Sequence, residues 1–177
     1  MAENMWKDIS PGTPEKINAI IEIPKGSRNK YEFDVELGEF ILDRVLYTPF
    51  HYPVNYAFVP QTWSTDEDPA DIMILSDEPI PQGCVVQCRP VAYLKMIDNK
   101  EADNKILAVP VKDIRAKHIQ DKKDLPPHLL EELAHMFTRY KELEGKEVQV
   151  VGWENASKAK EALKMSIQRY KKRFKVK

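Results

Sequence analysis

The sequence predicts an α+β fold in which a small five-stranded antiparallel β-barrel, of the oligonucleotide/oligosaccharide-binding (OB) kind, is flanked by two main α-helices. Strand-like runs follow one another through most of the chain, and helical periodicity is concentrated near its end. This order is typical of α+β folds rather than of alternating βα units. A chain of 177 residues can build one core but hardly two, so we expect one domain over residues 1–177.

Short apolar or alternating runs are the predicted strands. They cover residues 17–23, 30–34, 40–46, 72–75, 84–96, 105–109 and 147–153. The second and third should form a hairpin, because Gly38 lies in the turn between them. Residues 47–70 are expected to be a long, proline-rich and aromatic connection.

Two helices are predicted in the last third of the chain. Residues 126–144 carry an apolar stripe at helical spacing, follow Asp124 and stop at Gly145. Residues 156–177 carry a second stripe together with nine Lys or Arg against one Glu. A basic terminal segment can bind nucleic acid, but the stripe favours a helix that packs on the core with its lysines in water.

The composition excludes several classes of protein. The chain is 42% hydrophobic and 31% charged, which is typical of globular domains and not of disordered ones. It contains no run of about 20 apolar residues, and its first residues do not resemble a secretory signal. Two cysteines are too few for a disulfide framework. We therefore expect a cytoplasmic protein with no membrane partner.

The densest cluster of acids is Asp-Glu-Asp-Pro-Ala-Asp at residues 66–71. Carboxylates this close repel one another and need cations, protons or water. Apolar and aromatic flanks place them at the mouth of a core strand. The run does not fit a helix–loop–helix calcium site, which needs Gly and Glu where Asp71 and Asp77 stand.

Further acids and a set of cations complete the candidate site. Asp98 and Asp103 follow the longest predicted strand. Glu22 and Glu32 lie within strand patterns, where burying a carboxylate is costly unless it is paired or bound to a metal. Cations and hydroxyl donors in or beside ordered elements are Lys30, Arg44, Lys95, Lys105, Lys141, Tyr52, Tyr56 and Tyr140. Together these groups suit Mg²⁺ and a phosphate-rich anion.

Several short motifs occur in a fixed order along the chain. They are IEIP at 21–24, KYE at 30–32, LDR at 42–44, YPVNY at 52–56, DEDPAD at 66–71, KMID at 95–98 with Asp103 and Lys105, RYKEL at 139–143 and VGWENA at 151–156. From about residue 17 to the terminal helix, the sequence resembles the family I soluble inorganic pyrophosphatases of the short prokaryotic type. The resemblance implies the barrel fold and the hydrolysis of inorganic pyrophosphate to two orthophosphates.

The resemblance also implies roles for individual residues. Asp68 would be the catalytic base that accepts the proton of the attacking water, and Asp71 would bridge two metal ions. Several Mg²⁺ ions per site, with Mn²⁺ or Zn²⁺ as substitutes, would be held by Asp66, Asp71, Asp98 and Asp103, with Glu22 and Glu32 orienting bound waters or binding further ions. Pyrophosphate would be bound by Lys30, Arg44, Tyr52, Tyr56, Lys105, Tyr140 and Lys141. A homohexamer is implied by kinship alone.

Three positions depart from the family pattern, and two alternative functions stay open. Glu67 replaces a small residue, commonly Gly, and Ala70 and Ala57 also differ. If residue 67 needs a positive φ, Glu67 is strained. One alternative is a metal-dependent phosphohydrolase with another polyphosphate substrate. The other is an OB-like nucleic-acid-binding module, although the acidic character of the chain between Val45 and Cys88 makes us expect no nucleic-acid partner.

Overall fold

A computed structural model describes residues 4–176, and the following elements lie in that part of the chain. The strands are β1 (Gly12–Thr13), β2 (Lys16–Ile23), β3 (Asn29–Asp34), β4 (Glu39–Val45), β5 (Asn55–Val59), β6 (Ala70–Ile74), β7 (Val85–Asp98), β8 (Glu101–Ala102), β9 (Lys105–Pro110) and β10 (Val148–Asn155). The helices are α1 (Met5–Asp8), α2 (Pro127–Arg139) and α3 (Ala156–Phe174), with 3₁₀ turns at Lys122–Asp124 and Glu142–Glu144.

Five strands form a closed ring in the order β2, β5, β6, β9 and β7, and β7 pairs back onto β2. The predicted α+β fold, with five strands closing on themselves and helices at the side, is confirmed. The pairing is not antiparallel throughout, because β6 and β9 run parallel. The reason is topological: β9 returns antiparallel from β7 and inserts between β7 and β6, which places it beside a strand of its own direction.

The ring includes a strand that the sequence analysis assigned to a connection. All five residues of β5, Asn55–Val59, are buried. A strand covered on both faces shows a continuous apolar run instead of alternation, and prolines on either side of this run favoured a loop interpretation. The strand pairs with both β2 and β6, so the ring could not close without it.

The predicted hairpin is confirmed and forms a separate two-stranded sheet of β3 and β4. Gly38 has a φ of 75°, a conformation that glycine adopts without steric cost. Phe33 fixes the hairpin on the ring, because its ring lies 5.2 Å from that of Phe40 and stacks 5.0 Å from that of Phe58 in β5. The contact with Phe58 thereby fastens the hairpin to β5 of the ring.

The two main helices pack on different apolar clusters of the ring. Helix α2 contributes Leu133, Met136 and Phe137 to one cluster, and α3 contributes Ala159 and Leu163 to another. Helix α2 is shorter than the predicted helix of residues 126–144. It ends at Arg139 and is followed by a separate 3₁₀ turn at Glu142–Glu144. The packed terminal helix is confirmed. None of the helices in residues 4–176 is both long and apolar enough to cross a membrane.

Candidate active site

A cavity of about 480 Å³ lies between the ring, the β3–β4 hairpin and the segment that follows α2. All the predicted metal ligands, the predicted base Asp68 and every predicted pyrophosphate-binding residue except Arg44 line this cavity. The acids come from many elements: Glu22 from β2, Glu32 from β3, Asp66 and Asp68 from the β5–β6 connection, Asp71 from β6, Asp98 from β7 and Asp103 from the β8–β9 connection. The fold therefore gathers in one place carboxylates that are distant in sequence.

Glu22 is the most deeply buried of these acids, with 7% of its surface exposed. Its Oε1 accepts a hydrogen bond from the backbone N–H of Phe33 at 2.7 Å. Burial, followed by the charge of Asp71, raises the pKa of Glu22 to about 8. A single backbone donor does not offset the desolvation of this carboxylate, so additional positive charge is needed to keep it ionised at neutral pH.

The carboxylates of Asp66 and Asp68 would also be stabilised by nearby positive charge. Burial and the nearby charges of Asp71 and Asp103 raise the pKa of Asp66 to about 6. Burial and Asp71 also raise the pKa of Asp68 above its ordinary value. Carboxylate oxygens crowded in this way are the ligands that hard divalent cations such as Mg²⁺ prefer, and a bound cation would relieve their repulsion. The donor set therefore fits the predicted metal.

Lysine ammonium groups lie between these carboxylates. The side chain of Lys105, 4% exposed, donates to Asp71 at 2.5 Å and also pairs with Asp103. Burial disfavours its charge, but the two carboxylates outweigh burial and raise the pKa of Lys105 above its ordinary value. Lys141 likewise pairs with Asp98. Within residues 4–176 no three acidic, histidine or cysteine side chains form a ready-made metal cluster.

Arg44 is the predicted pyrophosphate-binding residue that does not line the cavity. Its Nε donates to Glu144 at 2.8 Å, and its Nη1 pairs with the adjacent Asp43. Glu144 belongs to the 3₁₀ turn after α2, so its ion pair with Arg44 joins residues far apart in sequence. The Nη2 atom is buried without a hydrogen-bond partner among the described residues, so its N–H groups can donate hydrogen bonds to a ligand.

Three tyrosines form the less charged wall of the cavity. Tyr52, Tyr56 and Tyr140 are all buried, with 1%, 7% and 3% of their surface exposed. Burial raises the pKa of each phenol well above its ordinary value, so the hydroxyl groups remain neutral donors. Tyr140 follows the last residue of α2, so the break in the helix places its ring and the Lys141 ammonium at the cavity.

The structure also places residues at the cavity that the sequence analysis did not select. They include the polar residues Asn99, Glu101 and Lys146. Glu101 lies in the same acidic run as Asp98 and Asp103, and that density of acids was a signal that could have identified it. Lys95, proposed as a cation of the site, is not among the lining residues.

Asp66 and Asp68 lie on the connection of residues 61–69, here called the acidic loop. Thr62 ties the base of this loop, because its Oγ1 donates to the Val59 carbonyl at 2.6 Å and accepts from the Ala70 N–H at 2.9 Å. At the tip, Glu67 has a φ of 64°. Glu67 is therefore strained, because this left-handed conformation costs a residue with a Cβ about 1–2 kcal/mol.

Replacing Thr62 by valine is expected to lower the free energy of unfolding by about 1–3 kcal/mol. Thr62 is fully buried, so the isosteric change leaves the Ala70 N–H without its partner inside the protein. Urea unfolding in the presence of a chelator measures the loss. Thr65→Val, at an exposed position of the same loop, is the matched control. Equal midpoints for the two variants would contradict this role of Thr62.

A comparison with known proteins decides the family. A family model described as inorganic pyrophosphatase matches residues 19–171. The chain belongs to the inorganic pyrophosphatase family. The inorganic pyrophosphatase of Haloferax volcanii is 45% identical over 174 residues, which are 97% of this chain and 98% of that relative. The inorganic pyrophosphatase of a Nostoc species is 49% identical over 158 residues, 89% of this chain and 94% of the relative.

The fold agrees with solved members of the family. The crystal structure of the Thermus thermophilus inorganic pyrophosphatase matches with a TM-score of 0.90 at 42% identity, covering 94% of this chain and 98% of that one. The resemblance inferred from the short motifs is therefore confirmed, as is the enzyme class, a hydrolase that acts on inorganic pyrophosphate. The roles of the individual residues remain predictions.

Proposed function

We propose that this protein hydrolyses inorganic pyrophosphate to two orthophosphates, with an attacking water activated by divalent cations. The observation that carries the proposal is the cavity itself. It combines a wall of carboxylates with lysines and neutral tyrosine donors, and its volume of about 480 Å³ is within the usual range for small-molecule sites. A highly charged anion needs both parts: cations that share its charge and donors that hold its oxygens.

The acids of the cavity would hold the divalent cations. We assign Asp66, Asp71, Asp98 and Asp103 as direct ligands, and Glu22 and Glu32 as groups that orient bound waters or hold further ions. Mg²⁺ is the proposed ion, because it takes oxygen ligands and shares its shell with substrate phosphates. When bound, it would lower the pKa of a coordinated water and neutralise phosphoryl oxygens.

The remaining polar groups would act on the water and on the substrate. Asp68 accepts the proton of the attacking water, and its raised pKa favours proton uptake relative to an ordinary surface aspartate. Lys30, Lys105, Lys141 and Arg44 neutralise the charge that develops on the phosphoryl oxygens and on the leaving phosphate. The spare Nη2 donor of Arg44 supports its inclusion, although its side chain pairs with Glu144. The hydroxyls of Tyr52, Tyr56 and Tyr140 add neutral hydrogen bonds.

We also propose a cytoplasmic homo-oligomer, a homohexamer as in the family that the sequence resembles. Large apolar side chains are exposed along and after β4, among them Ile41, Leu42 and Tyr47. Neighbouring exposed apolar groups often mark contacts between subunits. The cysteines Cys84 and Cys88 are free, which suits a reducing compartment. Light scattering coupled to gel filtration measures the assembly.

Orthophosphate release from pyrophosphate is expected in the presence of millimolar Mg²⁺ and is expected to disappear when a chelator is added. The same assay with tripolyphosphate and with ATP tests the substrate, and release from these compounds should be slower by at least about tenfold. Comparable turnover of ATP would favour another phosphohydrolase. A salt-sensitive shift of nucleic acid on a gel, with no hydrolysis, would favour the OB-like binding module.

A further inference from the structure

The acidic loop rests on an aromatic cluster built from both ends of the chain. The rings of Trp6 in α1, Trp63 in the loop and Phe174 at the end of α3 contact one another in pairs: Trp6–Trp63 at 5.7 Å, Trp63–Phe174 at 5.4 Å and Trp6–Phe174 at 5.2 Å between centroids. Tyr170, one turn earlier in α3, packs on Trp6 at 5.1 Å. The loop is thereby bound to the last turns of the terminal helix.

Arg173 connects the beginning of the loop to its tip. Its guanidinium lies over the ring of Trp63, 5.0 Å from the centroid, and its Nη1 is 3.5 Å from Oε1 of Glu67. One side chain therefore contacts the beginning of the loop by a cation–π interaction and its tip by an ion pair. Glu67 stands between Asp66 and Asp68 and has the positive φ, so its side chain is attached at the point where the backbone is strained.

The hydrogen bonds of the loop do not connect its tip to the rest of the described protein. Its first residues are fixed by backbone hydrogen bonds, from Trp63 N–H to the Ser166 carbonyl at 3.0 Å and from Gln61 N–H to the Trp6 carbonyl at 2.9 Å. From Ser64 onwards the hydrogen bonds described are internal to the loop, such as Ser64 N–H to the Asp68 carbonyl at 2.8 Å. Among the described residues, Arg173 makes the one ion pair that reaches the tip.

We propose that Arg173 is a positioning residue, which together with Trp63 and Phe174 forms a clasp that holds Asp66 and Asp68 towards the cavity. This inference rests on the proposed function, because it assigns the clasp a part in divalent-cation binding. Exposed ion pairs and cation–π contacts are individually weak, and the side chains of Arg173 and Glu67 are 52% and 70% exposed. The clasp should therefore govern local opening of the loop and contribute little to global unfolding.

Hydrogen exchange measured by mass spectrometry tests whether the clasp holds the loop. In Arg173→Ala, amides of residues 63–69 should exchange about fivefold faster than in the unmodified chain, the size expected from one exposed ion pair and one exposed cation–π contact. Arg173→Lys, which keeps the charge but loses the planar contact with Trp63, should fall between the two. Lys172→Ala, the neighbouring exposed cation, is the matched control. Equal exchange in Arg173→Ala and Lys172→Ala would overturn the proposal.

Mg²⁺ binding, followed by calorimetry without substrate, tests whether the clasp positions the acids. Arg173→Ala should raise the dissociation constant of Mg²⁺ by roughly threefold to tenfold, while its melting temperature stays close to that of Lys172→Ala. Faster loop exchange with unchanged Mg²⁺ affinity would overturn the positioning role. If the unmodified chain neither binds Mg²⁺ nor hydrolyses pyrophosphate, the proposed function fails, and the exchange comparison still decides whether Arg173 holds the loop.

Discussion

Replacing Asp68 by asparagine is expected to lower kcat for pyrophosphate hydrolysis by about 10²–10⁴-fold, the usual contribution of a general base. Asparagine keeps the size of the side chain but cannot accept a proton. Asp68 lines the cavity, and burial and the charge of Asp71 raise the pKa of its carboxyl group. Orthophosphate release at saturating Mg²⁺ and pyrophosphate measures kcat.

The KM for pyrophosphate in Asp68→Asn should change much less than kcat, because the proposed base contacts the water and not the phosphate groups. Asp77→Asn is the matched control, since Asp77 is exposed and pairs only loosely with Arg115 at 3.7 Å. The control should keep the full rate. An Asp68→Asn variant that also keeps the full rate would show that another group takes the proton.

Local sequence was sufficient to select most of the cavity residues. The three aspartates at 66–71, Asp98, Asp103 and the two strand glutamates stood out by charge density or by their cost in an apolar pattern, and all of them line one cavity. The order of strands and helices likewise predicted the ring. These features depend on periodicity and residue type, which can be recognised in short stretches of sequence.

Contacts between distant parts of the chain were not predictable in the same way. The β5 strand was missed because burial on both faces removes the alternation that marks a strand. Arg44 pairs with Glu144, and Glu67 pairs with Arg173. Neither ion pair can be predicted from the sequence around its members. Each member is a charged residue of the kind common on protein surfaces, and only the folded chain brings it to its partner.

Replacing Lys105 by methionine is expected to destabilise the metal-free protein by about 3 kcal/mol, the lower end of the range for breaking a buried ion pair. The lysine side chain is 4% exposed and neutralises both Asp71 and Asp103, which are themselves 26% and 19% exposed. Methionine fills the space but leaves two partly buried carboxylates without their common cation. In a chelator, the melting temperature should fall by about 6–12 °C for a chain of this length.

Two comparisons separate the charge of Lys105 from its packing. Lys158→Met removes an exposed lysine that pairs with Glu161 at 2.9 Å, and it should shift the melting temperature little because exposed pairs contribute at most about 1 kcal/mol. Adding Asp103→Asn to Lys105→Met should recover part of the loss, because one unpaired carboxylate is removed. Mg²⁺ should raise the melting temperature of Lys105→Met more than that of the unmodified chain, since the cation then supplies charge that the lysine no longer provides. If Lys105→Met melts like Lys158→Met, the ammonium does not hold the acids together, and their repulsion must be offset in another way.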